Sequence, residues 1–130
     1  MKPLFDAFSK IVSSPCPVTL VCGGSANESA VVVKSLIKIL RIEGISPLCM
    51  DVDLRSPCLC LPGTVSCAPL RRKVEDELLG FDSKIPVCEK ETISFLYGDT
   101  HVKDKEFYKQ LVENLTVRVA MLVKRDAECI

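Results

Sequence analysis

The chain has 130 residues, which suits a single domain with one cooperative core. Its 17 Lys and Arg residues balance 17 Asp and Glu residues, so it lacks the positive excess typical of dedicated nucleic-acid-binding domains. No apolar run approaches the roughly 20 residues of a membrane-spanning helix.

The N-terminal residues differ in pattern from the rest of the chain. Apolar residues at helical spacing predict an amphipathic segment over residues 1–17, and they lack the long apolar core of a signal peptide. Pro15 and Pro17 separate this segment from the remainder. We therefore expect one domain over residues 18–130.

That domain begins with a strand, a glycine turn and a helix. The apolar run at 18–22 predicts a strand, and the adjacent glycines Gly23 and Gly24 predict a turn. Apolar residues at helical spacing predict a helix over about 27–42, which Gly44 is placed to end. This order is the layout of a phosphate-binding loop.

A second buried strand follows at about 47–52 and leads into two carboxylates, Asp51 and Asp53. Strand, helix and strand with short connections predict a right-handed parallel unit. Ligands bind beyond the carboxyl ends of such strands, so Gly23 and Asp53 are expected to face one crevice. Asp51 lies deeper in its strand and is expected to be paired there rather than catalytic.

The remaining segments complete an α/β pattern. Residues 56–64 form a short extended piece with a Pro-Gly turn, and 71–80 are interpreted as a solvated helix or loop. A third strand is predicted near 93–97 and a long amphipathic helix near 104–124. Residues 117–123 also alternate, so a strand there remains an alternative to the end of the helix. Together these elements predict a three-layer α/β domain with a mostly parallel sheet.

The eight cysteines raise the question of a metal site. Cys49, Cys58, Cys60 and Cys67 are the candidate ligands, but no Cys-x-x-Cys pair is present, and the single histidine, His101, is interpreted as a loop residue. We therefore expect reduced cysteines that pack as small apolar residues, and no metal.

Three stretches, "VCGGSANESA", "MDVDLRSPCLCLPGTVS" and "FLYGDTHVKDKEFYKQLVENL", occur in an order that resembles a known family. The chain is similar, over roughly 18–125, to the P-loop domain of the polyribonucleotide 5′-hydroxyl-kinase family of the pre-mRNA cleavage and polyadenylation machinery. That family places a strand, a G-P-x-x-x-G-K-[ST] loop, a helix, a D-x-D strand end and an I-P-G-T turn in this order.

The resemblance implies an incomplete P-loop NTPase-like domain, ATP and Mg²⁺ as family ligands, protein subunits of an RNA-processing complex as partners, and a nuclear location. RNA is a possible partner that the charge balance does not support. Asp53 falls at the position of the family's catalytic or metal-orienting aspartate. The family's phosphate loop maps onto Gly23, Gly24, Ser25, Ala26, Asn27, Glu28, Ser29 and Ala30.

The departures from the family loop point to lost chemistry. Glu28, Ser29 and Ala30 stand where the family has the second glycine, the lysine and the metal-binding Ser or Thr. We therefore predict a degenerate phosphate loop, no bound cofactor and a non-catalytic or scaffold role. An active ATP-dependent polynucleotide 5′-hydroxyl kinase and a small α/β interaction module unrelated to the family remain as alternatives.

Overall fold

The structure is a computed structural model, and it describes residues 6, 9–11, 13, 18–23, 26–70, 85 and 91–128. The predicted amphipathic segment over 1–17 lies largely outside these residues, and the predicted solvated segment over 71–80 lies wholly outside them. In chain order the elements are helix α1 (Ala26–Ile42), strands β1 (Leu48–Asp51), β2 (Thr64–Pro69) and β3 (Ile93–Leu96), and helix α2 (Lys105–Glu128). The predicted α/β class is confirmed.

The direction of the strands differs from the prediction. The sheet order is β1-β2-β3, and both pairings are antiparallel, with Asp51 opposite Ser66 and Val65 opposite Phe95. The prediction of a mostly parallel sheet is therefore wrong for these strands. The cause is the strand that follows the Pro-Gly turn: it enters the sheet directly from a loop, without the helical crossover that a parallel pair needs.

The first predicted strand, over 18–22, is also absent from this sheet. Residues 18–23 have no regular structure, and the side chains of Val18 and Leu20 are 94% and 83% exposed. Apolar residues that gain no burial supply no driving force for strand pairing. By contrast, the unpredicted β2 is the central strand, and its residues are buried from Thr64 to Ala68.

The core is divided between the two faces of the sheet. Residues pointing to one face pack against α2 around the fully buried Leu115. On the opposite face, Cys49 and Ala68 belong to a second cluster, to which α1 contributes Val33 and Ile37. Burying one such aliphatic side chain stabilises a fold by about 1.5–3 kcal/mol. The strand residues facing α2 are Met50, Val65, Cys67, Ile93 and Phe95.

Local signals set the ends of both helices. Gly44 ends α1 with a φ of 79°, and the Ile45 N–H donates to the Leu40 carbonyl at 2.9 Å, which confirms the predicted stop. At the start of α2 the Asp104 carboxylate accepts a hydrogen bond from the Phe107 N–H at 3.0 Å. Within the described part of the chain, neither helix has the length and apolar character needed to cross a membrane.

Candidate functional site

Asp51, the last residue of β1, organises the loop that follows it. One carboxylate oxygen, Oδ2, accepts hydrogen bonds from the N–H groups of Cys58 and Leu59, and the other accepts one from the Asp53 N–H at 3.1 Å. Burial raises the pKa of Asp51, although these three hydrogen bonds act in the opposite direction. The prediction that Asp51 is paired within the structure is confirmed.

Asp53 lies two residues further along, where it closes a tight turn. Its Oδ1 accepts hydrogen bonds from the backbone N–H groups of Arg55 at 2.9 Å and Ser56 at 3.3 Å. This is the local side-chain-to-backbone pattern typical of an Asx turn. The contact with Arg55 therefore involves its amide and not its guanidinium group. Whether Asp53 has a catalytic role stays a prediction.

The Pro-Gly turn brings two further motifs to the same place. The Gly63 N–H donates to the Leu54 carbonyl at 2.8 Å, while the Gly63 carbonyl accepts from the N–H groups of Tyr97 at 2.8 Å and Gly98 at 3.1 Å. Gly63 has a φ of 80°, and a Cβ built on it would lie 3.4 Å from the Asp99 backbone N. The left-handed backbone conformation is therefore what favours glycine at this position, since the Cβ contact itself would be an ordinary one.

Two tyrosines then fix α2 against this turn. The Tyr97 hydroxyl accepts hydrogen bonds from the N–H groups of Lys103 and Asp104, each at 2.8 Å, and the Tyr108 hydroxyl donates to the Val52 carbonyl at 2.8 Å. The Tyr97 ring stacks on Phe107 at 5.6 Å between ring centroids. The second and third stretches quoted from the sequence therefore converge on one site.

Sequence reasoning missed part of this arrangement. It did not identify the tyrosine hydroxyls or the role of Asp51 as the acceptor for three N–H groups. Only Asp104 carried a usable signal, because an aspartate just before an apolar helical pattern is a common helix cap.

Of the residues that the sequence predicts to form the phosphate loop, only 26–30 are described within α1. Gly23 is exposed, and Gly24 and Ser25 lie outside the described residues. Residues 26–30 belong to α1, where Glu28 is an exposed acidic residue in the first turn and Ser29 and Ala30 are half-buried. The structure therefore gives no contact that tests whether Gly23 and Asp53 face one crevice.

Three of the described cysteines, Cys49, Cys58 and Cys67, pack in the core clusters and have raised thiol pKa values. Burial, with a smaller contribution from the Asp51 charge, raises the pKa of Cys49 to about 12. Burial also raises the pKa values of Cys58 and Cys67. Among the described residues, no three His, Cys, Asp or Glu side chains are grouped so that they could hold a metal ion.

His101 lies in the loop before α2, as predicted. It is exposed, and its Nδ1 lies 3.1 Å from the Thr100 hydroxyl and 3.9 Å from the Asp99 carboxylate. Asp99 also pairs with Lys103, whose hydrogen bond lowers the pKa of the Asp99 carboxyl. This pair lies on the surface, so it is expected to order the loop more than to stabilise the fold.

These features define an α/β protein whose first helix begins at residues that the sequence predicts to be a degenerate phosphate loop. The family model described as mRNA cleavage and polyadenylation factor CLP1 P-loop matches residues 30–129, and the chain belongs to this family. The matched stretch begins at Ala30, so it does not include Glu28 and Ser29, the predicted positions of the loop's second glycine and lysine. This result excludes the alternative of an unrelated interaction module.

A curated relative extends the similarity. The chain is 29% identical over 128 residues to an mRNA cleavage and polyadenylation factor clp1 of Neurospora crassa, with 89% of this chain aligned. The chain spans only 25% of the length of that relative. No solved structure matches the chain.

Proposed function

We propose that this chain is a P-loop pseudoenzyme of the CLP1 family that has lost phosphoryl transfer and serves as a protein-binding subunit in mRNA 3′-end processing. The observation that carries the proposal is the replacement of three phosphate-loop residues together, by Glu28, Ser29 and Ala30. Phosphoryl transfer depends almost entirely on positioning and charge compensation, which these positions normally supply.

Electrostatics at the start of α1 support this proposal. Glu28 adds a carboxylate to the helix N-terminus, where phosphate oxygens of a nucleotide would lie. At an effective dielectric constant of 20, two like charges about 4 Å apart repel by about 4 kcal/mol. The helix N-terminus favours an anion by only about 0.3–1 kcal/mol, so it does not offset that repulsion.

The neighbouring positions do not restore the missing chemistry. A serine hydroxyl at position 29 carries no positive charge to balance phosphate, and the methyl group of Ala30 cannot bind Mg²⁺. Asp53, the remaining charged family position, already accepts two backbone N–H groups of its own turn. Its hydrogen bonds therefore suit a structural role.

The partners and location are inferred from the family. The Neurospora relative is named as an mRNA cleavage and polyadenylation factor, so protein subunits of such a complex are the proposed partners and the nucleus the proposed location. The formal net charge of zero favours protein over RNA as the main partner. No cofactor is required for this role.

Calorimetric titration of the whole chain with Mg·ATP tests the proposal. We expect no binding at submillimolar concentrations, and no phosphate transfer to an RNA oligonucleotide with a 5′-hydroxyl end. A micromolar dissociation constant, or activity that disappears in Asp53→Asn, would overturn the proposal and establish the kinase alternative.

A gain-of-function variant sharpens this test. The triple change Glu28→Gly, Ser29→Lys and Ala30→Ser rebuilds the family residues, and it should raise ATP affinity if the backbone there still has a phosphate-loop shape. The control is Glu43→Gln, which removes one carboxylate at the opposite end of the helix and should leave affinity unchanged.

A further inference from the structure

Within the described part of the chain, the outer edge of the sheet at β3 is unpaired. Strand β3 is last in the order β1-β2-β3, and no segment among the described residues pairs with its outer side. The Tyr97 N–H points toward β2, where it donates to the Gly63 carbonyl. Because successive residues of a strand direct their N–H and C=O groups to opposite sides, those of Ser94 and Leu96 point outward.

This edge has the features of a template for another strand. Its outward backbone groups can pair with an extended chain, and Leu96 is 71% exposed beside them. No lysine, proline or inward-pointing charge within β3 protects the edge. Such residues are common means by which proteins block edge-to-edge pairing.

A groove with both apolar and polar lining residues lies beside the same edge, between β3 and α2. It has a volume of about 410 Å³ and is open to solvent. Val117 and Met121, one helical turn apart, are 54% and 57% exposed, although both are apolar. The groove therefore suits alternate side chains of an extended segment. Its lining residues are Phe95, Asn114, Val117, Arg118 and Met121.

Arg118 specifies the charge of the occupant. Its exposed guanidinium group lies in the groove lining, and no carboxylate in the described part of the chain pairs with it. Acidic and basic residues do pair elsewhere on the same helix, as Lys109 and Glu113 do at 4.0 Å. A second copy that paired through its own β3 would bring the sequence Ile-Ser-Phe-Leu, which offers no carboxylate.

We propose that the β3 edge and this groove bind an extended segment of a protein partner as an added strand. Its alternate apolar side chains enter the groove between Phe95, Val117 and Met121, and a carboxylate at the next alternate position reaches Arg118. In this binding mode, main-chain hydrogen bonds supply affinity and the side-chain groove supplies specificity. The inference identifies a surface for the partner-binding role proposed above, and rests on that role for its biological setting.

Selection from a library of displayed random peptides of roughly ten residues, a length sufficient for one strand, tests this proposal on the whole chain. We expect enrichment of peptides with apolar residues at alternate positions followed, at the next alternate position, by Asp or Glu. Failure to enrich any sequence over a parallel selection on Arg118→Glu would overturn the proposal.

Fluorescence anisotropy then measures the best selected peptide against matched variants. Arg118→Glu should weaken binding by at least about tenfold, which corresponds to about 1.4 kcal/mol. Lys124→Glu makes the same charge change at an exposed position of α2 outside the groove lining and should leave affinity unchanged. A peptide with Lys in place of its acidic residue should bind the Arg118→Glu variant more tightly than it binds the original chain. Equal effects of the two protein variants would contradict the assignment.

Two measurements distinguish an added strand from other occupants of the groove. N-methylation of alternate peptide amides should abolish binding, and the bound peptide should slow hydrogen exchange at Ser94 and Leu96. Equal binding of the N-methylated peptide would overturn the strand geometry. Analytical ultracentrifugation shows whether the chain forms a dimer. A dimer that Leu96→Pro dissociates would show that the β3 edge pairs with a second copy of this chain, and would contradict a different protein as its partner.

The outcome is separable from that of the nucleotide titration. Peptide binding is measured without ATP. A micromolar affinity for Mg·ATP would therefore contradict the proposed loss of phosphoryl transfer without affecting the proposed peptide-binding surface. If the chain binds neither ATP nor any peptide, the proposed binding surface is wrong, while the proposed loss of phosphoryl transfer still stands.

Discussion

The Tyr108 hydroxyl donates a hydrogen bond to the Val52 carbonyl at 2.8 Å, across 56 residues of sequence. This bond holds α2 against the loop that carries the candidate site. Burial raises the pKa of Tyr108, and the charges of Asp53 and Asp51 add to the effect, so the hydroxyl keeps its proton and stays a donor. The Tyr97 ring lies edge-on to Tyr108 at 6.0 Å.

Replacing Tyr108 by Phe should lower the free energy of unfolding by about 1 kcal/mol, because it removes this hydrogen bond and keeps the ring. Urea unfolding followed by circular dichroism measures the change. Thr116→Val is the control, since its hydroxyl bonds only to the Val112 carbonyl one turn earlier on the exposed side of α2. The control should change stability by less than about 0.5 kcal/mol, and equal effects would show that the Val52 contact does not stabilise the fold.

The Asp51 carboxyl should titrate above its ordinary pKa of 3.8, because burial disfavours the charged form. Carbon-13 NMR of the carboxyl group measures the midpoint. Asp53→Asn should lower the Asp51 midpoint, since the Asp53 charge is one of the causes that raise it. A midpoint below 3.8 would mean that the three backbone N–H donors outweigh burial.

Stability should follow this pKa with a defined sign. A raised pKa means that the folded protein holds the proton more tightly than the unfolded chain, so the stabilisation is fully present below pH 3.8 and is lost as pH rises through the folded value. The unfolding free energy of the original chain minus that of Asp51→Asn should therefore fall as pH rises. Urea unfolding at a series of pH values tests this, and a rise in that quantity with pH would contradict it.

Cys49 should resist alkylation in the folded chain. With a pKa of about 12, roughly one molecule in 10,000 carries the thiolate at pH 8, and the side chain is half-buried. Cys22 is exposed and should react with iodoacetamide much faster. Peptide mass spectrometry with and without denaturant measures both sites. Comparable rates in the folded chain would show that Cys49 is accessible and ionised.

Gly63→Ala should destabilise the fold by about 1–2 kcal/mol, because alanine would have to adopt the left-handed backbone conformation of Gly63. An added Cβ would lie 3.4 Å from the Asp99 backbone N, at van der Waals distance, so we expect no further cost from that contact. Gly44→Ala is the matched control, because Gly44 has nearly the same φ and nothing within 4 Å of an added Cβ. Urea unfolding should give similar losses for both variants, and a clearly larger loss for Gly63→Ala would show that the contact with Asp99 is strained.

The sequence alone located the two helices and two of the three strands. Helical periodicity predicted α1 and α2 to within a few residues, and Gly44 gave the end of α1, because these signals arise from residues close together in the chain. The apolar runs that became β1 and β3 were equally readable. The order of the three quoted motifs also indicated the family, because that order can be read directly from the linear sequence.

The candidate site was only partly predictable. The sequence singled out Asp53 and the turn at Gly63, but it gave no sign that Asp51 would accept three backbone N–H groups or that Tyr97 and Tyr108 would anchor α2. These contacts join residues that are distant in the chain or depend on how the loop folds back. No periodicity encodes them.

The tertiary structure alone decided the direction of the sheet and the identity of its central strand. Residues 64–69 lie between two strands and are buried on both faces from Thr64 to Ala68, although Thr64 and Ser66 are polar. Their sequence therefore does not mark them as a buried central strand. The apolar run at 18–22 looked more strand-like, yet it lies outside the sheet. Pairing depends on which segments bury surface together, and that choice is made between residues far apart in sequence, whereas helix periodicity is fixed within a few turns.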